Sequence, residues 1–132
     1  MLRLPVRFAE EIIDDARTRA PAEACGLVAA SADIGIKLYK IANVDPSPFR
    51  YEMDPRALYE VMCEIEDNGW DLGAIYHSHP HTEAYPSPTD RELAFYPDVH
   101  YLIVSLQQTS SPVLRAFKIH DGMVDEQAIT LI

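Results

Sequence analysis

Tyr76-His77-Ser78-His79-Pro80-His81-Thr82-Glu83-Ala84-Tyr85-Pro86-Ser87-Pro88-Thr89-Asp90 concentrates three of the chain's five histidines beside two carboxylates. The preceding Leu72-Gly73-Ala74-Ile75-Tyr76 is a short apolar run that reads as a strand delivering its end residues into this stretch. Side chains alternate along an extended chain with period two, so His77 and His79 are expected to share a face and converge on one point. If the Pro-rich loop folds back, Asp90 adds a carboxylate, and two nitrogens with one oxygen leave tetrahedral Zn²⁺ an open position for water. The alternative is that an H-x-H pair occurs by chance, as two structural imidazoles.

Working outward, the 132 residues fit one domain, 1–132, of the common size of about 100–150 residues. Hydrophobic residues make up 48% of the chain, enough for a sizeable core, and no apolar run approaches the ~20 residues of a membrane span. No membrane partner is expected. Met1-Leu2-Arg3-Leu4-Pro5 lacks the apolar stretch of a signal peptide, so a cytoplasmic location is the expectation. Cys25 and Cys63 form no CxxC pair and suggest neither a disulfide framework nor a cysteine zinc site. Eleven basic against twenty-one acidic side chains give a net charge of −10, opposite to the footprint of a nucleic-acid binder.

Upstream, Phe8, Ile12, Ile13, Ala16 and Ala20 recur at helical spacing, with Glu10, Glu11, Asp14, Asp15, Arg17 and Arg19 largely opposite. This predicts a helix over 6–20 ending before Pro21. A buried strand up to Ala30, a polar turn over 31–35 and a strand over 36–44 suggest a hairpin, with Glu23 at its entrance. Asp45-Pro46-Ser47-Pro48 breaks the pattern. Phe49, Tyr51 and Met53 then alternate with polar residues, which suits either plain packing or substrate contact. Asp54-Pro55 starts a second helix, with Leu58, Val61, Met62 and Ile65 inward, and Gly69 stops it.

Beyond the histidines, Ser87-Pro88-Thr89-Asp90 opens a short helix of about two turns before Pro97. Strands follow over 100–106 and 112–120. Asp121-Gly122 then turns the chain into a closing hairpin strand over 124–132. The predicted class is α/β, a single domain with a mixed β-sheet flanked by helices. Neither GxGxxG nor GxxxxGK[ST] is present, which argues against dinucleotide and P-loop nucleotide binding.

Zinc held by His77, His79 and Asp90 lowers the pKa of its water to about 7 and points to a hydrolase. Such an enzyme needs a proton carrier that is not a ligand. Glu23 is the candidate, although position alone leaves it equally readable as an exposed charge. Ser87 can stabilise a developing oxyanion, or, at S-x-x-D spacing from Asp90, only cap the short helix; both roles can hold at once.

The run His77-Ser78-His79-Pro80, six residues, Ser87, two residues and Asp90 resembles the JAMM (MPN+) signature of zinc metalloproteases, matched at every position. Pro21-Ala22-Glu23-Ala24-Cys25-Gly26 resembles the family's P-x-E-x-C-G segment, and the likeness runs over nearly the whole chain. It implies a JAMM/MPN, cytidine-deaminase-like fold, one Zn²⁺ per chain on His77, His79 and Asp90, Glu23 as general acid/base and Ser87 as oxyanion stabiliser. Zinc-bound water is then the nucleophile. Cys25 is implied to be a packed residue, Ser78 a support for the loop, His81 a residue outside the ligand set, and His100 and His120 structural. Phe49, Tyr51 and Met53 are candidate substrate contacts.

Thr82-Glu83-Ala84-Tyr85-Pro86-Ser87 looks most like the small prokaryotic branch that releases cysteine from a sulfur carrier. The implied partner is a small ubiquitin-like sulfur-carrier protein ending in Gly-Gly, cut after its last glycine. An isopeptidase acting on lysine conjugates and a non-catalytic scaffold are the alternatives, and a homodimer is compatible with the sequence. The deaminase elements H-x-E and P-C-x-x-C are absent, so deamination is not implied.

Overall fold

The computed structural model describes residues 1–132. In chain order the elements are β1 (Leu2–Leu4), α1 (Val6–Arg19), β2 (Cys25–Ser31), β3 (Ile34–Ile41), α2 (Pro55–Asp67), β4 (Asp71–His79), α3 (Pro88–Glu92), β5 (His100–Ser105), β6 (Val113–His120), β7 (Met123–Gln127) and β8 (Ile129–Leu131). All strands belong to one eight-stranded sheet of order β7-β6-β5-β4-β2-β3-β1-β8. It is mixed: β4 pairs parallel with β5 and β1 parallel with both β3 and β8, while the remaining neighbours are antiparallel.

Strand alternation sorts the core onto two faces. Val28, Ala74, Tyr76, Leu102, Val104 and Ala116 face α1, which contributes Phe8, Ala9, Ile12 and Ala16. The intervening Leu27, Ile75, Tyr101, Ile103 and Phe117 face the opposite way, toward Leu58, Val61 and Met62 of α2. His77 and His79 continue the odd-numbered set begun by Ile75, so the alternation that builds the core also aims both imidazoles to the α2 side.

Only Ala128 separates β7 from β8, yet these strands lie at opposite ends of the sheet order. Gln127 and Ile129 can stand no more than about 7 Å apart, so the sheet must curl until its edges nearly meet, wrapping α1. This corrects the expected closing strand over 124–132. The chain does turn at Asp121 and Gly122, which both take positive φ as a two-residue hairpin turn requires. β7 then ends on β6, and Ile129–Leu131 crosses to pair with β1. β1 itself carries no local signal. Leu2 and Leu4 are buried because they close the α1 side of the core.

Three smaller expectations also change. Asp15 is buried rather than on the polar side of α1, because Arg19 pairs with its carboxylate and the Tyr76 hydroxyl donates to it at 2.6 Å. Asp54 precedes α2 but its side chain makes no capping bond; Pro55 at the first turn starts the helix without it. α3 is a single short turn of five residues, closed by Leu93 N–H donating to the Thr89 carbonyl.

Gly26 shows why the strand beside the site needs a glycine. A Cβ there would stand 2.2 Å from both the Tyr39 carbonyl oxygen and the Tyr76 ring. Its absence lets Tyr76 cross under β2 to reach Asp15. Arg19, held by Asp15, donates to the carbonyls of Cys25 at 2.8 Å and Ile41 at 2.5 Å, which are register partners on β2 and β3. The end of α1 is thereby fastened to the sheet two residues after Glu23.

Candidate metal and catalytic site

β4 extends through His79, and its last residues bring His77 and His79 together with Asp90 from α3. His77 Nε2 lies 3.2 Å from His79 Nε2, and Asp90 Oδ2 is 3.1 Å from the first and 3.0 Å from the second. Atoms bound about 2.0–2.1 Å from a tetrahedral Zn²⁺ stand about 3.3 Å apart, so the three donors already have the separation such an ion requires. The side chains are shielded, at 2%, 6% and 8% exposure for His77, His79 and Asp90.

Hydrogen bonds orient His79 and Asp90, and stacking orients His77, whose buried Nδ1 has no hydrogen-bond partner. His79 Nδ1 donates to the Glu83 carbonyl at 2.8 Å, so its Nε2 presents a lone pair to the centre. Tyr51 stacks on the His77 ring at 4.8 Å and 27°. Asp90 Oδ2 also accepts the Ser87 N–H at 2.9 Å, while Ser87 Oγ accepts the Asp90 N–H at 3.1 Å. This reciprocal capping box is what returns the Asp90 carboxylate to the histidines.

The site attracts positive charge. Burial works against ionisation of Asp90, but the two imidazoles and the Ser87 N–H outweigh it and hold the carboxyl well below the usual carboxylate range. Burial lowers the pKa of His79, yet hydrogen bonding to Asp90 and the Glu83 carbonyl leaves it raised.

Glu23 leads into β2 and is only 1% exposed, with its Oε1 buried and unpartnered. Burial pushes its carboxyl up to about 8, with His79 opposing and Asp90 adding to the shift. Its neighbour Ala24 is clamped to β4: the Ala24 N–H donates to Ser78 Oγ at 2.7 Å and the Ser78 N–H to the Ala24 carbonyl at 3.0 Å. Ser78, between the two histidines, thus fixes the segment carrying Glu23, and its side chain faces the backbone rather than the donors.

Of the remaining sequence candidates, Met53 is buried and Tyr51 half-buried, and both line a cavity of about 370 Å³ that His77 and Asp90 also wall. Leu58, Tyr101 and Ile103 make its floor apolar. Phe49 stands 71% exposed, outside that lining. Cys25 is fully buried, its thiol donates to the Ile41 carbonyl and burial pushes it up to about 11, the character of a packed residue. His81 is exposed and outside the triad. His100 pairs with Ala74 at the opposite end of β5 from the site, and His120 is exposed at the β6–β7 turn.

Asn43, Ser47 and the Asp15–Arg19–Tyr76 group are the supporting residues that sequence reasoning missed. Asn43 carries a weak sequence signal, an Asn two residues before Asp45-Pro46 where side-chain turns are common.

Residues 5–120 match the family described as prokaryotic homologs of the JAB domain. The chain is 37% identical over 123 residues to the CysO-cysteine peptidase of Mycobacterium tuberculosis, covering 92% of this chain and 84% of that protein. It is 37% identical over 111 residues to the desampylase of Haloferax volcanii, covering 79% and 80%. A protein of Desulfitobacterium hafniense solved in solution superposes with a TM-score of 0.88 at 38% identity, over 100% of this chain and 93% of that one. A JAB1/MPN domain protein of Archaeoglobus fulgidus shares the fold, with a TM-score of 0.67 at 17% identity over 99% and 97%. With two histidines and an aspartate converging on one point of the same fold, the chain belongs to the prokaryotic homologues of the JAB domain, the JAMM/MPN family of hydrolases.

Proposed function

We propose that the chain is a zinc-dependent peptidase that cuts after the C-terminal Gly-Gly of a ubiquitin-like sulfur-carrier protein and releases cysteine. The observation that carries the reading is the triad of donors 3.0–3.2 Å apart, with a buried glutamate, its Oε1 unpartnered, two residues before Cys25, the register partner of His77. The likeness to a protein named CysO-cysteine peptidase supports the choice of substrate. His77 Nε2, His79 Nε2 and Asp90 Oδ2 would hold the ion. Zinc, when bound, supplies a Lewis acid and water acidic enough to lose a proton near neutral pH.

Glu23 takes the proton from the attacking water at its carboxylate and returns it to the nitrogen of the departing residue. Burial raises its pKa in the metal-free protein, and a cation on the triad would oppose that shift and favour the carboxylate that accepts the proton. Ser87 Oγ uses a lone pair to accept the Asp90 N–H, which leaves its O–H free to donate to the carbonyl oxygen as charge develops there. Tyr51 and Met53 line the cavity that His77 and Asp90 also wall and are assigned to the substrate segment flanking the cut. Phe49 is assigned to the carrier's surface.

Ser87→Ala is expected to lower kcat by about 10²-fold or more, the scale of losing one oxyanion donor. The same change removes a helix cap and costs about 1 kcal/mol of stability. Steady-state kinetics beside thermal unfolding separate the two, and an effect confined to unfolding would leave Ser87 as a cap alone.

The likeness to a protein named desampylase favours a second reading, an isopeptidase that frees a ubiquitin-like modifier from lysine. The two are compared by incubating zinc-loaded protein with one carrier joined through its Gly-Gly either to cysteine or to a lysine side chain. Intact mass should show faster loss of cysteine. Preference for the lysine conjugate would reverse the ranking.

A further inference from the structure

We propose that Asn43 is a positioning residue that joins the 45–54 segment to Glu23, so that the proton carrier and the chain stacked on His77 move as one body. This rests on the reading of Glu23 as the proton carrier.

Glu23 sits in the connection between α1 and β2, and no helix or strand takes up its own N–H or carbonyl. The segment after β3 holds it instead. The Glu23 N–H donates to the Ser47 carbonyl at 2.9 Å, and Asn43 Nδ2 donates to the Glu23 carbonyl at 3.0 Å. Asn43 also organises the far side of that segment. Its Oδ1 accepts the Asp45 N–H at 3.0 Å and the Glu52 N–H at 2.9 Å, spending both acceptor positions.

The segment is closed on itself around this amide. Asn43 and Met53 form an isolated antiparallel bridge, and the Val44 N–H donates to the Glu52 carbonyl at 2.8 Å. Asp45 pairs with Arg50 at 2.6 Å across the loop. Tyr51, one residue from both Arg50 and Glu52, is the residue stacked on His77. One side chain therefore ties Glu23 on one side to the Tyr51–His77 pair on the other.

The donor and acceptor halves of the amide can be separated. Asn43→Asp keeps an acceptor for Asp45 and Glu52 but turns a carboxylate oxygen on the Glu23 carbonyl in place of a donor. Asn43→Ala loses both halves. A displacement of about 1 Å at a reacting group costs about 10²-fold, so Asn43→Asp is expected to lower kcat by about 10- to 10²-fold while changing KM by less than about twofold. Asn43→Ala should lower kcat and raise KM together, because Tyr51 is then freed as well.

The test uses zinc-loaded full-length protein, with a ubiquitin-like carrier extended at its Gly-Gly by cysteine as probe. Amide hydrogen exchange is followed at Asp45 and Glu52. These amides should stay protected in wild type and Asn43→Asp and exchange faster in Asn43→Ala. A purely structural asparagine would instead make the kcat losses track the thermal unfolding shifts of the two variants. Wild-type kcat in Asn43→Asp, with Glu23→Gln inactive, overturns the positioning role and leaves the proposed function standing. Wild-type turnover in Glu23→Gln removes the proton carrier, and the proposal falls with it. Equal protection of Asp45 and Glu52 in all three proteins overturns the claim that Asn43 organises the segment.

Discussion

Glu23→Gln is expected to keep the fold and bind zinc as wild type does, while turnover falls by at least the 10²–10⁴-fold that general acid–base catalysis contributes. Glutamine has the shape of glutamate and no titratable proton, so the backbone bonds to Ser47 and Asn43 can persist unchanged. Burial disfavours the ionised form at this position, so removing the charge does not strain the metal-free protein. The sign is specific. Because the folded pKa is raised to about 8, the folded state holds more protons than the unfolded one from about pH 4.5 to 8, and metal-free wild type loses stability as pH climbs through that range. Metal analysis beside single-turnover assays checks the main effect. Turnover retained at the wild-type rate would take Glu23 out of the chemistry.

His77→Ala has the second large effect, lost zinc rather than lost chemistry at a loaded site. Two of the three short donor separations include His77 Nε2, so the alanine variant leaves one nitrogen and one oxygen. Loss of an outer-shell partner already costs about 10–100-fold in metal affinity, and removal of a donor should cost more. A bound ion stabilises only the folded state, so a chelator should lower the unfolding temperature of wild type and leave that of His77→Ala unmoved. The ring is also the stacking partner of Tyr51, so part of the variant's instability will persist without metal. Stoichiometric zinc in purified His77→Ala would contradict the assignment.

The features legible in the sequence were those carried by local spacing. Period two along β4 put His77 and His79 on one face, and S-x-x-D spacing placed Asp90 in a capping box that returns its carboxylate to them. Helical spacing gave α1 and α2, and Asp121-Gly122 gave the β6–β7 turn. What stayed hidden depends on partners far along the chain. Leu2–Leu4 is too short to announce a strand and becomes one only because Ile129–Leu131 and β3 flank it. Asp15 looks like any other acid on a helix until Tyr76, sixty-one residues later, arrives beneath it. Asn43 and Ser78 act through backbone atoms of residues 23 and 24, and a hydrogen bond to a main-chain carbonyl or amide leaves no mark on the partner's residue type.

Glu23 shows the same division within the site itself. Its motif supplied the residue, while its position is set by contacts from three separate segments: Ser78 on β4, the 43–47 stretch, and Arg19 through Cys25. Side chains outside the donor triad therefore hold the chain that carries this carboxylate, whose charge His79 and Asp90 both feel.

The most direct measurement is a zinc titration of metal-free protein, following cleavage of a carrier–cysteine adduct by intact mass. Turnover should be absent at the start, rise with added zinc and level off at one zinc per chain, with His77→Ala, His79→Ala and Asp90→Ala flat throughout. Full cleavage in the metal-free protein, or a zinc-dependent rise in any of those three variants equal to wild type, would contradict the account.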